Sequence, residues 1–216
     1  MPLEIERKYL GVDFDRLRRA LSRAGAVERG AHFEANVVFD TPDHRLHAAR
    51  RLLRVRSQER PEGSRHVLTL KLPVAAPAPG AFKTREEREL TIESAAAMCA
   101  VLTGLGFMPV ARYEKVREVW RLATRGPKPA QLLVELDELP FASVVEVEGP
   151  ADGQDDAARL LGLDNCEIST KSYHALHQEW RAARGLSEEL SFVFGPEERR
   201  RLRKRLGLPD ETGTRF

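Results

Sequence analysis

A chain of 216 residues, 42% of them hydrophobic, suits one domain with its own core and a short appendage. Its 35 basic and 33 acidic residues leave a formal net charge of +2, too balanced to point to nucleic acid as a partner. Cys99 and Cys166 match no zinc or redox spacing, and the longest apolar run, Ala95–Leu102, is too short to cross a bilayer. With no apolar leader ahead of the first strand, a cytoplasmic protein with reduced thiols and no membrane partner is expected.

The first strand, Glu4-Ile5-Glu6-Arg7-Lys8, sets Glu4, Glu6 and Lys8 on one face and Ile5 on the other. Carboxylates at i and i+2 stand roughly 7 Å apart and repel unless a cation lies between or above them. Asp13 or Asp15 caps a helix with Phe14, Leu17 and Leu21 on one stripe and Gly25 as its stop. Strands follow at Ala31–Phe39, Leu52–Gln58 and His66–Leu72, with a turn at Asp40–Asp43 and a hairpin loop at Pro61–Ser64. A loop rich in Pro and Ala then leads into the strand Phe82–Ile92.

Ser94 caps a second helix carrying Met98, Val101, Leu102 and Leu105. Further strands are predicted at Ala111–Leu122, Gln131–Leu136 and Ser143–Glu148, the first two joined by a turn at Gly126–Pro129. A third helix is predicted over Gln154–Leu161 and a fourth from Ser172 through Trp180 to Arg184. Strand, helix and several strands thus occur twice, a weak internal repeat. Two β-rich halves joined edge to edge predict an α+β fold, a closed antiparallel barrel or tunnel of about eight strands with helices outside.

Along these strands like charges recur at period two: Glu4-x-Glu6, Arg54-x-Arg56, Lys83-x-Arg85, Glu87-x-Glu89, Lys115-x-Arg117, Glu135-x-Asp137 and Glu146-x-Glu148, with Lys71 after Thr69 and Lys171 in a later loop. Leu53, Val55, Leu68, Leu70, Val134, Leu136, Val145 and Val147 occupy the opposite faces. A solvated face with cross-strand ion pairs explains any one doublet. It fits the set poorly, because water-facing strands usually mix their signs. Acidic doublets suit divalent cations, which take hard oxygen ligands, and basic doublets suit an oxygen-rich anion. A barrel lined this way is a site for a polyanion with metals, and triphosphate is the natural candidate.

Those residues carry a family resemblance. Glu4-Ile5-Glu6-Arg7-Lys8 resembles the E-x-E-x-K signature of the CYTH superfamily of triphosphate tunnel metalloenzymes, and its class IV adenylyl cyclase-like branch in particular. Phe39–Pro42, Leu53–Arg56, Lys83–Glu87, Leu136–Glu138, Val145–Gly149 and Ser169–Tyr173 extend the likeness in order over about residues 1–180. The resemblance implies a tunnel domain over 1–180, followed by a C-terminal helical extension over 181–216 with a basic helix. It implies Mg²⁺ or Mn²⁺ on Glu4, Glu6, Glu146 and Glu148, with Glu135 and Asp137 as additions. Lys8, Arg54, Arg56, Lys71, Lys83, Arg85, Arg117 and Lys171 would grip the phosphates, and Glu6, Lys8 and Glu148 would carry catalysis. The substrate would be ATP, tripolyphosphate or thiamine triphosphate. Cyclisation of ATP to cyclic AMP and pyrophosphate is the first expectation, triphosphate hydrolysis the alternative, and a non-catalytic triphosphate-binding module the third.

Other features weigh less. His44/His47 and His174/His177 have i, i+3 spacing without a third ligand, and are expected in a turn and on an exposed helix. The tail helix, with Pro196 in its first turn and Gly207 as stop, carries Arg199–Arg201 and Arg203–Arg205. It is read as a cap on the barrel, with Leu202 and Leu206 inward and its bases in water.

Overall fold

The N-terminal strand, β1 (Leu3–Leu10), closes the fold of this computed structural model, which describes residues 3–124 and 129–209. A meander follows of β2 (Val27–Asp40), β3 (Leu52–Arg60), β4 (Gly63–Pro73) and β5 (Lys83–Ile92). A second comprises β6 (Met108–Ala123), β7 (Gln131–Glu138) and β8 (Ser143–Glu148). The two join along β2 and β6, from Val27 opposite Arg121 to Asp40 opposite Met108. β1 fills the remaining gap, pairing with β8 over Glu6–Leu10 and with β5 over Leu3–Glu6. The antiparallel ring β1-β5-β4-β3-β2-β6-β7-β8 therefore closes as predicted, with its edges paired. A short strand, β9 (Glu167–Ser169), extends along β1 beyond β5. The predicted turn at Gly126–Pro129 lies, but for Pro129, outside the described residues.

The helices pack outside the ring. α1 (Phe14–Arg23) is capped by the Asp13 carboxylate, which accepts the Asp15 and Arg16 amides. α2 (Arg45–Ala48) is a single turn following the predicted turn at Asp40–Asp43; Asp40 holds it by accepting the Thr41, Leu46 and His47 amides. Ser94 caps α3 (Ala95–Gly104), and Ser172 caps α5 (Tyr173–Ala182). α4 (Ala151–Leu161) begins earlier than predicted. Gly153, which reads as a breaker, is needed there because a Cβ would sit 2.4 Å from that of Ala130.

The apolar side of each strand meets these helices. Tyr9, Trp120, Leu122, Val134, Leu136, Val145 and Val147 bury against Leu17 and Leu21 of α1 and Ala157 and Leu161 of α4. Val37, Phe39, Leu53 and Val55 bury against Ala95 and Leu102 of α3. The main core thus lies between barrel and helices, and the charged faces turn inward.

The chain after α5 also packs on the barrel. α6 (Pro196–Arg205) sets Leu202 against Phe33 and Val116, beside Phe194 and Leu208. The bases of α6 were expected in water, and two of them are not. Arg199 ion-pairs with Glu114, and Arg203 reaches Glu59 at 2.8 Å, both arginines being buried. Helical spacing explains this, since 199 and 203 share the face of 202 and 206. Among the described residues no helix is long and apolar enough to cross a membrane.

Leu202, fully buried, should cost about 2–5 kcal/mol on replacement by Ala, whereas Arg201→Ala on the exposed side should stay within about 0.5 kcal/mol. Urea unfolding midpoints of the two variants test this assignment of faces.

Candidate active site

Paired residues in an antiparallel sheet share a face, so the register decides what enters the barrel. Glu6 stands opposite Glu148 and Lys8 opposite Glu146, on adjacent β1 and β8. β3, across the ring by strand order, brings Arg54 and Arg56 inward, and β6 brings Tyr113, Lys115 and Arg117. These side chains line a cavity of about 350 Å³, in which the acids of β1, β7 and β8 surround Lys8 and Arg117 and the arginines of β3 lie across the ring.

Most of the charges are paired. Lys8 bridges Glu6 and Glu146, the latter at 2.8 Å, although only 2% exposed. Lys71 donates to both oxygens of Glu4 at 2.7 Å, and Lys83 reaches Glu6 at 2.7 Å. Arg117 spans Glu135, Asp137 and Glu146. Glu148 differs: among the described residues, no cation lies within ion-pair distance of it, and its cross-strand neighbour is another acid.

The carboxyl groups divide accordingly. Burial would raise Glu6 and Glu146, but Lys8, with Lys83 beside Glu6 and Arg117 beside Glu146, holds both well below the usual carboxylate range. Burial raises Glu135, and Asp137 and Glu146 add to it despite Arg117. Burial, then Glu135 and Glu4, push Glu148 up to about 8. The acids are not gathered as a finished cage, since among the described residues no three His, Cys, Asp or Glu side chains are arranged to hold an ion. As a donor set they do fit Mg²⁺ or Mn²⁺: hard oxygens on adjacent strands, one of them raised by burial and by its acidic neighbours and lacking an ion-pair partner among the described residues. Glu4, Glu6, Glu146 and Glu148 would hold the ion, with Glu135 beside them.

A CYTH-domain family model matches residues 2–173. The chain belongs to the CYTH family. The solved structure of the PH1819 protein from Pyrococcus horikoshii OT3 resembles it with a TM-score of 0.66 at 21% identity, over 82% of this chain and 98% of that one. A candidate adenylate cyclase from Vibrio parahaemolyticus gives 0.63 at 17%, over 81% and 97%. The Hippeastrum protein HpAC1, a candidate adenylyl cyclase described as having a dominant triphosphatase activity, gives 0.58 at 21%, over 88% and 99%. At such identities the likeness is one of fold. No curated protein matches this CYTH chain at a significant level.

The barrel brings together Glu4, Glu6, Lys8, Arg54, Arg56, Lys71, Lys83, Arg117, Glu135, Glu146 and Glu148. Three predicted residues lie elsewhere. Asp137 is fully buried in the wall, its oxygens taken by Lys115 at 3.1 Å, by Arg117 and by the Tyr173 hydroxyl. Arg85 shares the inner face with Glu4 by register, yet its guanidinium turns to the Thr84 carbonyl at 3.2 Å. Lys171 is exposed, 2.6 Å from Glu179, because the α5 cap at Ser172 carries it outward.

Other residues of the site escaped the sequence reading. Glu34 is fully buried beside Arg56 and Lys115, each at 3.5 Å. It accepts from Gln58 at 3.0 Å and from His32 at 2.9 Å; Arg60 donates to the other nitrogen of His32 and so fixes the tautomer. The alternation His32-x-Glu34-x-Asn36 between Phe33, Ala35 and Val37 was a usable signal. His174 and His177 are not exposed-helix histidines, as expected above, but pack with Phe192, and His177 also with Phe141.

A carboxyl group raised to about 8 favours its protonated form in the folded state. The stability it contributes is full below its unfolded value near 4.5 and is lost as pH rises through about 8. Glu148→Gln keeps the neutral form at every pH. Without divalent cations the two proteins should melt alike near pH 5, and the variant should melt several degrees higher near pH 8.5. Parallel melting curves across that range would contradict the shift.

Proposed function

We propose that this CYTH protein is a divalent-metal-dependent enzyme that hydrolyses triphosphates inside its tunnel. The observation that carries the reading is the mixed lining of the barrel: acids on β1, β7 and β8 with Lys8 and Arg117 among them, the arginines of β3 across the ring, and Glu148 without an ion-pair partner among the described residues. An anion binder without metal has no use for adjacent buried acids, whose repulsion only destabilises it.

The chain's own groups divide the work. Arg54, Arg56 and Arg117 present planar donor forks to phosphate oxygens. Lys71 and Lys83, now held by Glu4 and Glu6, become free for phosphate once those carboxylates turn to a cation. Lys8 stays between Glu6 and Glu146 and keeps both ionised. A bound Mg²⁺ or Mn²⁺ would supply neutralising charge to the phosphates and a more acidic water. The enclosing wall keeps the remaining phosphate charges in a low-dielectric setting, where these contacts act strongly.

Cyclisation of ATP is the second reading, favoured by the wording of Lys83–Glu87 and Ser169–Tyr173. Hydrolysis is preferred on two grounds. Lys171, from the second of those segments, points away from the tunnel. Cyclisation also needs the 3′-OH held in line with the α-phosphorus, and the two tyrosines of the wall are already engaged, Tyr173 with Asp137 and Tyr113 with Arg54 and His174. The triphosphatase activity described for the Hippeastrum neighbour supports the same preference.

Phosphorus NMR of products from tripolyphosphate, thiamine triphosphate and ATP with Mg²⁺ or Mn²⁺ tests the reading. Orthophosphate should appear, with ADP from ATP, and excess EDTA or Glu6→Gln should stop it. Cyclic AMP with pyrophosphate would move the protein to the cyclase reading. Arg54→Ala removes charge-assisted contacts of roughly 1.5–3 kcal/mol, so triphosphate affinity by calorimetry should fall about tenfold or more. Arg54→Lys should recover only part of it.

A further inference from the structure

Tyr113 stands on β6 between the tunnel and the C-terminal segment, and its two ends meet different surroundings. Its ring lies 5.2 Å from that of Phe192 and edge-on at 5.3 Å to His174. Phe192 is itself zipped to β6, its amide donating to the Arg112 carbonyl and its carbonyl accepting the Glu114 amide, both at 3.0 Å. The ring is therefore clamped by a segment that lies beyond the family match. Its hydroxyl accepts a hydrogen bond from Arg54 at 2.9 Å at the tunnel wall.

That bond has only one possible direction, because a guanidinium has no acceptor. The phenol keeps its own proton, and among the described residues no side chain or carbonyl accepts it. A buried donor without an acceptor is costly, and this one sits among cations in a cavity built for an anion. Burial raises the phenol, but Arg54, Arg56 and Lys115 outweigh it and leave Tyr113 more acidic than an ordinary tyrosine. The groups facing it are those three cations, His174 from α5 and, through Arg54 at 3.7 Å, Glu87 from β5.

We propose that Tyr113 is a catalytic proton donor to the leaving phosphate, a role that rests on the hydrolase reading above. As the water oxygen bonds to the terminal phosphorus, the bond from that phosphorus to its bridging oxygen breaks. The electron pair stays on the bridging oxygen, which takes the Tyr113 proton. The phenolate left behind is held by Arg54, Arg56 and Lys115, and it regains the proton that the attacking water sheds. Arg54 thus has two tasks, one toward phosphate and one toward the phenol.

Kinetics of wild type and Tyr113→Phe on tripolyphosphate, and on its analogue with sulfur at the bridging position, test the role. A thiolate leaves without needing a proton. On tripolyphosphate the variant should lose about 100-fold or more in kcat with little change in KM. On the sulfur analogue its kcat should match wild type. Equal losses on both substrates would make Tyr113 a support for Arg54 only, and an undiminished kcat on tripolyphosphate would remove any role; either result overturns the proposal. A melting temperature within a few degrees of wild type confirms that the variant folds. If it does not fold, 3-fluorotyrosine at position 113 keeps the buried ring and hydroxyl but makes the phenol more acidic. The pH–rate profile on tripolyphosphate should then move to lower pH, and an unmoved profile overturns the proposal. Absence of turnover by wild type on every triphosphate would defeat the hydrolase reading and the proton donor with it. Wild-type turnover beside an unaffected variant defeats Tyr113 alone.

Discussion

Like charges enclosed in a closed ring are expensive, and that expense shapes the molecule. Taking one carboxylate or ammonium out of water costs several kcal/mol even after relaxation, and an unmatched charge costs more than a matched one. Here Glu6, Glu146, Lys8, Lys115 and Arg117 are each less than one-tenth exposed. They are tolerable together because Lys8 and Arg117 each bridge more than one acid. Glu148 is left over, and burial with Glu135 and Glu4 nearby tilts it toward its neutral form. A site of this kind is preorganised for two partners of opposite sign and is strained until both arrive.

The rest of the fold follows from keeping that interior rigid. An ordinary small barrel fills its centre with apolar side chains, whereas this one moves its core outward, between the strands and α1, α3 and α4. Closure then depends on the short β1–β5 seam, where Glu4 and Glu6 stand opposite Arg85 and Lys83. The C-terminal segment adds a second brace. Arg199 holds Glu114 on the outer side of β6, one residue from Tyr113 and from Lys115 on the inner side. The chain beyond the family match thus reaches the tunnel wall through β6, and also touches β2 at Phe33 and β3 at Glu59.

Much of this was legible in the alternation of charges. Glu4, Glu6, Glu146 and Glu148 fall together because period two and antiparallel register are both local consequences of strand geometry. What the pattern could not give was the direction of a long side chain at the end of its strand. Arg85 satisfies the alternation and still folds back on Thr84, and Lys171 turns outward with its helix cap. Glu34 was missed because a lone acid between two apolar residues has no doublet to mark it. Tyr113 was missed because a search by charge passes over a phenol. The buried Arg199 and Arg203 show the opposite error, in which a run of bases hid two that face the core.

The central claim is that the acidic wall is an incomplete cation site, kept neutral at one position by a proton. Calorimetric titration of Mn²⁺ into the protein alone, near pH 7 in two buffers of different ionisation enthalpy, measures both the binding and the protons exchanged. Binding should release protons, and Glu148→Gln should lower that release to the smaller share that comes from Glu135. Mn²⁺ binding of equal strength in wild type and variant, with no proton released by either, would contradict the account.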